Sequence, residues 1–251
     1  MTHRLEGFDG HALAAHLGVP RVELRARVTS TMDEAHRLAT AGAPAGTFVI
    51  ADEQTAGRGR SGRRWASPPG HGLWMTLLER PGTESGLDVL SLRLGLCLAP
   101  ALEQFTGRGV SLKWPNDLYV GDGKLAGILV EARWREQRPE WVAIGVGVNV
   151  VPPADVPASA GVREATTRVH LLQALAPAMR EASRARGTLV ESELAEFARR
   201  DYARGRRCAV PAHGVAQGIT CDGALIVRTA SGVAHYRGGS LELEVEATAA
   251  R

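Results

Sequence analysis

The stretch Gly57-Arg58-Gly59-Arg60-Ser61-Gly62-Arg63-Arg64-Trp65 puts four arginines and three glycines into nine positions. Glycine at this density, with like charges in a row, works against a regular helix or strand. The same composition suits an anion. Glycine lets backbone N–H groups approach closely, and guanidinium forks match the oxygens of phosphate or carboxylate. A solvated basic loop or a nucleic-acid tether has this composition too, so the meaning depends on what accompanies it. Two further polar clusters do: Lys113-Trp114-Pro115-Asn116-Asp117, and Lys124 to Gly127 with Asn149. Lys113 and Lys124 are the only lysines among 30 basic residues, and they lie eleven positions apart. Genome base composition can deplete lysine without functional meaning, yet this placement points to sites that need a compact, tunable ammonium. Together the clusters supply cations, amides and one carboxylate, which favours stabilising negative charge, as in adenylyl or phosphoryl transfer. The histidines are scattered and none enters these clusters. No Cys/His metal spacing, Ser-His-Asp arrangement, Walker A motif or Rossmann glycine fingerprint is present.

These clusters need elements to hold them. Residues 8–18 read as a short helix and Val22 to Val28 as a strand. Thr31 and Glu34 have capping-box spacing, so a helix starts there and runs to Gly42. A helix N-terminus offers free N–H groups to an anion, although plain capping explains Ser30 and Thr31 as well. Thr47 to Ala51 is a strand that delivers the chain into Gln54 and the Gly/Arg loop. Strands are predicted at Gly72 to Leu78, Val110 to Trp114, Leu118 to Val120, Lys124 to Trp134 and Trp141 to Val150. The turn Gly121-Asp122-Gly123 joins two of them as a hairpin. Gly145 and Gly147 inside a strand suggest close backbone approach. Leu87 to Phe105 reads as a core helix interrupted near Pro100. Thr167 to Arg186 and Glu191 to Arg204 read as amphipathic helices. From residue 205 the pattern changes to short strands and glycine turns, ending with Leu241 to Val245, as in a small β-barrel.

At 251 residues, with 44% hydrophobic and 23% charged residues, the chain has the composition of a globular protein with a sizeable core. A net charge of +3 makes no global field for DNA or a membrane surface. Three widely spaced cysteines, Cys97, Cys208 and Cys221, predict reduced thiols and a cytoplasmic address. No apolar run is long enough to span a bilayer, and the N-terminus lacks a signal peptide's apolar core.

In order and spacing, Gly57 to Trp65, Lys113-Trp114-Pro115-Asn116-Asp117-Leu118, Lys124-Leu125-Ala126-Gly127-Ile128-Leu129 and Gly145-Val146-Gly147-Val148-Asn149 resemble the signature blocks of biotin protein ligases. The glycine-punctuated C-terminus is similar to that family's SH3-like barrel. The resemblance covers nearly the whole chain. It implies an α+β fold with a class II aminoacyl-tRNA synthetase-like mixed or antiparallel sheet flanked by helices. It also implies a catalytic domain over 1–204 and an SH3-like barrel over 205–251. The implied reaction joins biotin to ATP, with Mg2+, as biotinyl-5′-AMP. Biotin then passes to one lysine of a biotin carboxyl carrier domain.

By the same resemblance Ser30, Thr31, Gln54, Gly57, Arg58, Lys124, Gly127 and Gly145 line the biotin pocket. Arg58, Arg60, Trp65, Asn116, Lys124 and Asn149 fall on the ATP and adenylate side, with Trp65 where the loop closes over the site. Lys124, Arg60 and Asp117 carry the chemistry: Lys124 bridges the biotin carboxylate and the α-phosphate, and Asp117 meets the incoming amine. Asp117 as a turn residue, Trp114 as a packed core aromatic and Lys113 as an outlying cation are the plainer readings. Met32 stands where many relatives carry asparagine. No metal ligands emerge. The segment before residue 20 leaves no room for the DNA-binding domain of bifunctional ligase–repressors, so a ligase without operator binding is expected, as a monomer or homodimer. Two alternatives stay open: a lipoate ligase or octanoyltransferase on the same fold, and a nucleic-acid-binding Arg/Gly protein. Octanoyltransferases use a cysteine nucleophile, and no cysteine falls in these blocks.

Overall fold

The computed structural model describes residues 3–244. Its elements run α1 (Gly10–Leu17), β1 (Arg21–Val28), α2 (Thr31–Thr40), β2 (Thr47–Gln54), β3 (Gly72–Glu79), α3 (Leu90–Thr106), β4 (Ser111–Lys113), β5 (Asp117–Val120), β6 (Gly123–Arg135) and β7 (Arg138–Asn149). They continue with α4 (Arg168–Arg184), α5 (Glu191–Arg200), β8 (Arg207–Val210), β9 (Gly214–Ile219), β10 (Leu225–Thr229), β11 (Gly232–Tyr236) and β12 (Glu242–Leu243).

Seven strands form one sheet in the order β1-β2-β3-β7-β6-β5-β4. Only β1 and β2 pair in parallel, and every other neighbouring pair in that sheet is antiparallel. Central strands alternate between two cores, as a period of two requires. Phe48, Ile50, Leu77 and Ile144 point into the larger core under α1, α3 and α4. Val49, Leu78 and Ala143 point to the other face, where Met32, Ala35, Leu38 and Ala39 of α2 cover them.

Two local expectations change. Ser30, rather than Thr31, caps α2: its Oγ accepts from the Met32 N–H at 3.2 Å. Glu34 turns instead to Arg25 and Arg37, whose guanidinium groups hold its carboxyl down to about 2. The helix α3 runs unbroken through Pro100. A proline inside a helix costs about 3 kcal/mol. Here Leu94, Leu98 and Leu102, one turn apart on the same face, are each 0% exposed. Burial of each leucine contributes about 1.5–3 kcal/mol, enough to keep the helix continuous through the proline.

The C-terminal strands make a second, antiparallel sheet in the order β11-β10-β9-β8-β12. Its two edge strands, β11 and β12, are not paired with each other among the described residues. Val245, expected in the last strand, lies outside them. This sheet is fastened to the larger one. Cys208, Ala216, Leu225 and Val227 belong to the same hydrophobic cluster as α3 and β4. The buried Trp114 indole donates to the Gly223 carbonyl at 3.0 Å.

The sheet's register places the chemistry. Pairing of β6 with β7 sets Gly127 opposite Gly147, and pairing of β5 with β6 sets Asp117 opposite Gly127. The end of β2 brings Gln54 beside the start of α2.

Candidate active site

One cavity gathers residues from the start of α2, the Gly/Arg loop, the turn between β4 and β5, the β6 and β7 glycines and the segment joining β11 to β12. Of the residues singled out in the sequence, Ser30, Thr31, Gln54, Arg58, Arg60, Trp65, Asn116, Asp117, Lys124, Gly127 and Gly145 line it. Gly57 and Asn149 do not. Both line an adjoining cavity, which Gln54, Trp65 and Lys124 share with the first and which extends to Pro153, Val156 and Ser159.

One end of the cavity is neutral and closely hydrogen-bonded. Thr76 Oγ1 donates to Thr31 Oγ1 at 2.8 Å, and Thr31 donates from Oγ1 and from its backbone N–H to Gln54 Oε1 at 3.1 and 2.8 Å. Gln54 Nε2 donates to Ser67 Oγ at 2.8 Å, and Ser67 donates to the Trp65 carbonyl at 3.1 Å. This chain leaves the Gln54 amide one orientation. Met32, Met75 and Val146 supply apolar lining. Gly145 meets Met32 so closely that a Cβ would sit 2.8 Å from its sulfur. The Met32 side chain thus packs directly over the Gly145 backbone of β7.

The other end is cationic. Lys124 Nζ lies 2.7 Å from Asp117 Oδ1 and 5.0 Å from the centre of the Trp65 ring. Asn149 Nδ2 donates to the Lys124 carbonyl at 3.1 Å, so the amide in the second cavity holds the backbone of the lysine in the first. Lys113 also lines the cavity. Burial pushes its ammonium below the ordinary lysine range, with Asp117 opposing. Tyr119 is pushed up to about 12 by burial and by the same carboxylate. Asn116 is strapped to β6: its Nδ2 donates to the Ile128 carbonyl at 2.7 Å, and its own carbonyl accepts from Ile128 N–H at 3.0 Å. Trp114 touches the cavity but is 2% exposed and held by Gly223, a core aromatic as its sequence context suggests.

The Gly/Arg loop is a short folded-back segment. Trp65 N–H reaches the Gly57 carbonyl at 2.9 Å, Gly59 N–H reaches Arg63 at 2.8 Å, and Arg58 and Arg64 form a β-bridge. A single 3-10 turn at Arg60–Gly62 closes it, with positive φ at Ser61 and Gly62. Only glycine fits at 57, since a Cβ would come 2.4 Å from the Trp65 carbonyl. Trp65 then lies on bare backbone: a Cβ on Gly127 or Gly147 would approach its ring to 2.8 or 2.6 Å. Its indole N–H is buried with no hydrogen-bond partner among the described residues.

Sequence reasoning missed several participants. His36, expected to stand apart from the clusters, contacts Glu131 at 3.0 Å, and Glu131 contacts Arg58 at 2.5 Å. Gly239, Ser240 and Leu241, in the segment between β11 and β12, complete the cavity wall, where Arg63 donates to Ser240 Oγ at 3.0 Å. The Gly238-Gly239 pair is visible in the sequence, but nothing local ties it to the loop. Among the described residues no group of three or more His, Cys, Asp or Glu is placed to hold a metal.

The architecture is that of solved biotin protein ligases. The structure titled as the enzyme from Aquifex aeolicus in complex with biotin and ATP superposes with a TM-score of 0.74 at 27% identity, covering 89% of this chain and 98% of that one. Residues 24–149 match the Biotin/lipoate A/B protein ligase family, and the chain belongs to that family. A biotin--[acetyl-CoA-carboxylase] ligase of Paracoccus denitrificans is 33% identical over 231 residues, with 82% of this chain and 94% of the relative covered. The bifunctional ligase/repressor BirA of Bacillus subtilis is 42% identical over 132 residues, and there the match spans 41% of the relative's length.

Proposed function

We propose that this protein is a biotin protein ligase. It condenses biotin with ATP to biotinyl-5′-AMP, releasing pyrophosphate, and passes biotin to a specific lysine of a biotin carboxyl carrier domain. The observation that carries this reading is the meeting, in one cavity, of the neutral Thr31–Gln54 chain with Lys124, Asp117 and Trp65. The names of the Paracoccus and Aquifex relatives support the same substrates.

The roles follow from the chemistry at each end. Ser30, Thr31, Gln54, Gly127 and Gly145 form the biotin pocket, with Gly57 backing it and the Arg58 backbone at its rim. A carboxylate and a triphosphate repel, so the reacting end must supply cations. Lys124 bridges the biotin carboxylate and α-phosphate, and Arg60 meets the phosphates. Trp65 shields the reacting atoms and separates the cavity from the adenine side, which Asn149 marks. Asn116 shapes the entry, and Asp117, fixed by Lys124, accepts or orients the proton of the incoming amine. Mg2+ enters with the nucleotide and is held mainly by phosphate oxygens, which suits a site with no cluster of protein carboxylates among the described residues.

None of the three cysteines lines the cavity, which disfavours an octanoyltransferase with a cysteine nucleophile. We retain the division into a catalytic domain over 1–204 and a small domain over 205–251. Among the described residues no helix is long and apolar enough to cross a membrane. The three free thiols suit a reducing cytoplasm.

The test is incubation with biotin, Mg-ATP and an isolated biotin carboxyl carrier domain. Mass spectrometry should find one biotinyl group on one carrier lysine, and none when ATP is withheld. A carrier that stays unmodified while lipoate is transferred to a lipoyl domain would overturn the substrate assignment.

A further inference from the structure

The four loop arginines are not equivalent. Among the described residues the Arg60 side chain reaches only the Gly239 carbonyl, at 3.5 Å, and the Arg64 side chain only the Thr55 carbonyl, at 2.7 Å. Arg63 reaches Ser240 at 3.0 Å and Glu242 at 3.7 Å. Among the described residues Arg58 is the loop arginine gripped by two carboxylates: Nη1 donates to Asp33 Oδ1 at 2.9 Å and Nη2 to Glu131 Oε1 at 2.5 Å. A guanidinium held this way has little left for a third anion.

Glu131 is itself held. The Trp141 indole N–H, which can only donate, points at His36 Nδ1 at 2.9 Å. Nδ1 must therefore carry the lone pair and Nε2 the proton, which goes to Glu131 Oε2 at 3.0 Å. Each Glu131 oxygen then has one partner, His36 on one side and Arg58 on the other. The chain Trp141, His36, Glu131, Arg58, Asp33 runs from β7 through α2 and β6 to the loop and back to α2. The last three of those elements also line the cavity.

We propose that Glu131 is a positioning residue for the ligase site. Set by His36 and aided by Asp33, it anchors Arg58, and so places the loop backbone such that Arg60, two residues on, faces the phosphates. Arg58 is the anchor of the loop and Arg60 its anion ligand. The side chains of Arg58, Asp33 and Glu131 are 41%, 48% and 28% exposed, so these ion pairs add little to global stability. Their effect is local, on the order of the loop.

The kinetic part rests on the ligase reading, whereas the loop part does not. The experiment therefore pairs tryptic cleavage of the ligand-free protein, with nicks between residues 58 and 64 mapped by mass spectrometry, with pyrophosphate release. Glu131→Ala should speed cleavage in the loop about tenfold while Tm moves by less than ~3 °C. It should raise the KM for ATP about tenfold and leave kcat within about twofold, because Lys124 is untouched. Glu131→Gln keeps an acceptor for Arg58 and should recover most of the native behaviour, short of the His36 contact. His36→Phe should shift both readouts the same way but less, and add nothing in the Glu131→Ala background. Native cleavage rates in Glu131→Ala, additivity with His36→Phe, or cleavage that simply tracks global unfolding would overturn the proposal. If the cleavage difference holds and biotin supports no pyrophosphate release in any variant, the anchor stands and the ligase reading fails.

Discussion

The two ends of the cavity are built on different physical terms. At the Gln54 end the polar groups are neutral and paired: Gln54 and Thr76 are set on strands, Thr31 on the first turn of α2, and Ser67 on the segment before β3. At the Lys124 end the groups are charged: Lys113, Asp117 and Lys124 sit at the ends of β4, β5 and β6, and the arginines sit on the loop. A neutral, satisfied chain holds its shape without a ligand, and recognises by fit, since leaving any member unpaired costs about 1–3 kcal/mol. A field of cations instead waits for charge that arrives with the substrate and grows in the transition state. In the proposed ligase reaction the first end is assigned to selecting the substrate and the second to driving the chemistry.

Substitutions at the two ends should separate in kind as well as in size. Lys124→Ala is expected to give the largest effect, lowering kcat for pyrophosphate release by about 10²-fold or more. Lys124→Arg should not restore it, because a planar fork cannot replace a point charge between two oxygens beside Trp65. Gln54→Ala leaves Thr31 and Ser67 without their shared partner, and should raise the KM for biotin about tenfold with a smaller change in kcat. Equal kcat losses in both would erase the distinction drawn above.

A third substitution lies at neither end and provides the control. Asp201, just after α5, accepts at Oδ1 from the Ala203 N–H at 2.9 Å, while Oδ2 is buried with no hydrogen-bond partner among the described residues. Burial pushes its carboxyl up to about 6. The folded chain therefore holds this proton more tightly than the unfolded one. Its contribution to stability is lost as pH rises from about 4 through about 6 and stays lost above. Asp201→Asn keeps the Oδ1 contact and should stabilise the protein by about 1 kcal/mol at pH 7.5 and by nothing at pH 4 in urea unfolding. It should leave both KM and kcat unchanged.

Much of the cationic end is legible in the sequence because it is written in contiguous blocks: the Gly/Arg loop, Lys113 to Asp117, and Lys124 with Gly127. The start of α2 is legible too, within one residue of its true cap. What escapes is whatever depends on register between distant strands. Glu131 lies 73 residues from Arg58 and 95 from His36, and reads locally as one more outward residue of a long strand. Ser240 meets Arg63 across 177 residues. Asn149 sits at the end of a visible motif, yet only the pairing of β6 with β7 brings it beside the Lys124 backbone that its amide secures. Pro100 misleads because propensity alone does not register the buried leucines on either side of it.

The most direct test of the account is acid-dependent pyrophosphate release by the native protein with Mg-ATP, comparing biotin, lipoate, octanoate and no acid. Release with biotin alone, at a rate well above the other three, is the predicted result. Release that is equal for all acids, or independent of any acid, would contradict the claim that the neutral end selects biotin and the Lys124 end adenylates it.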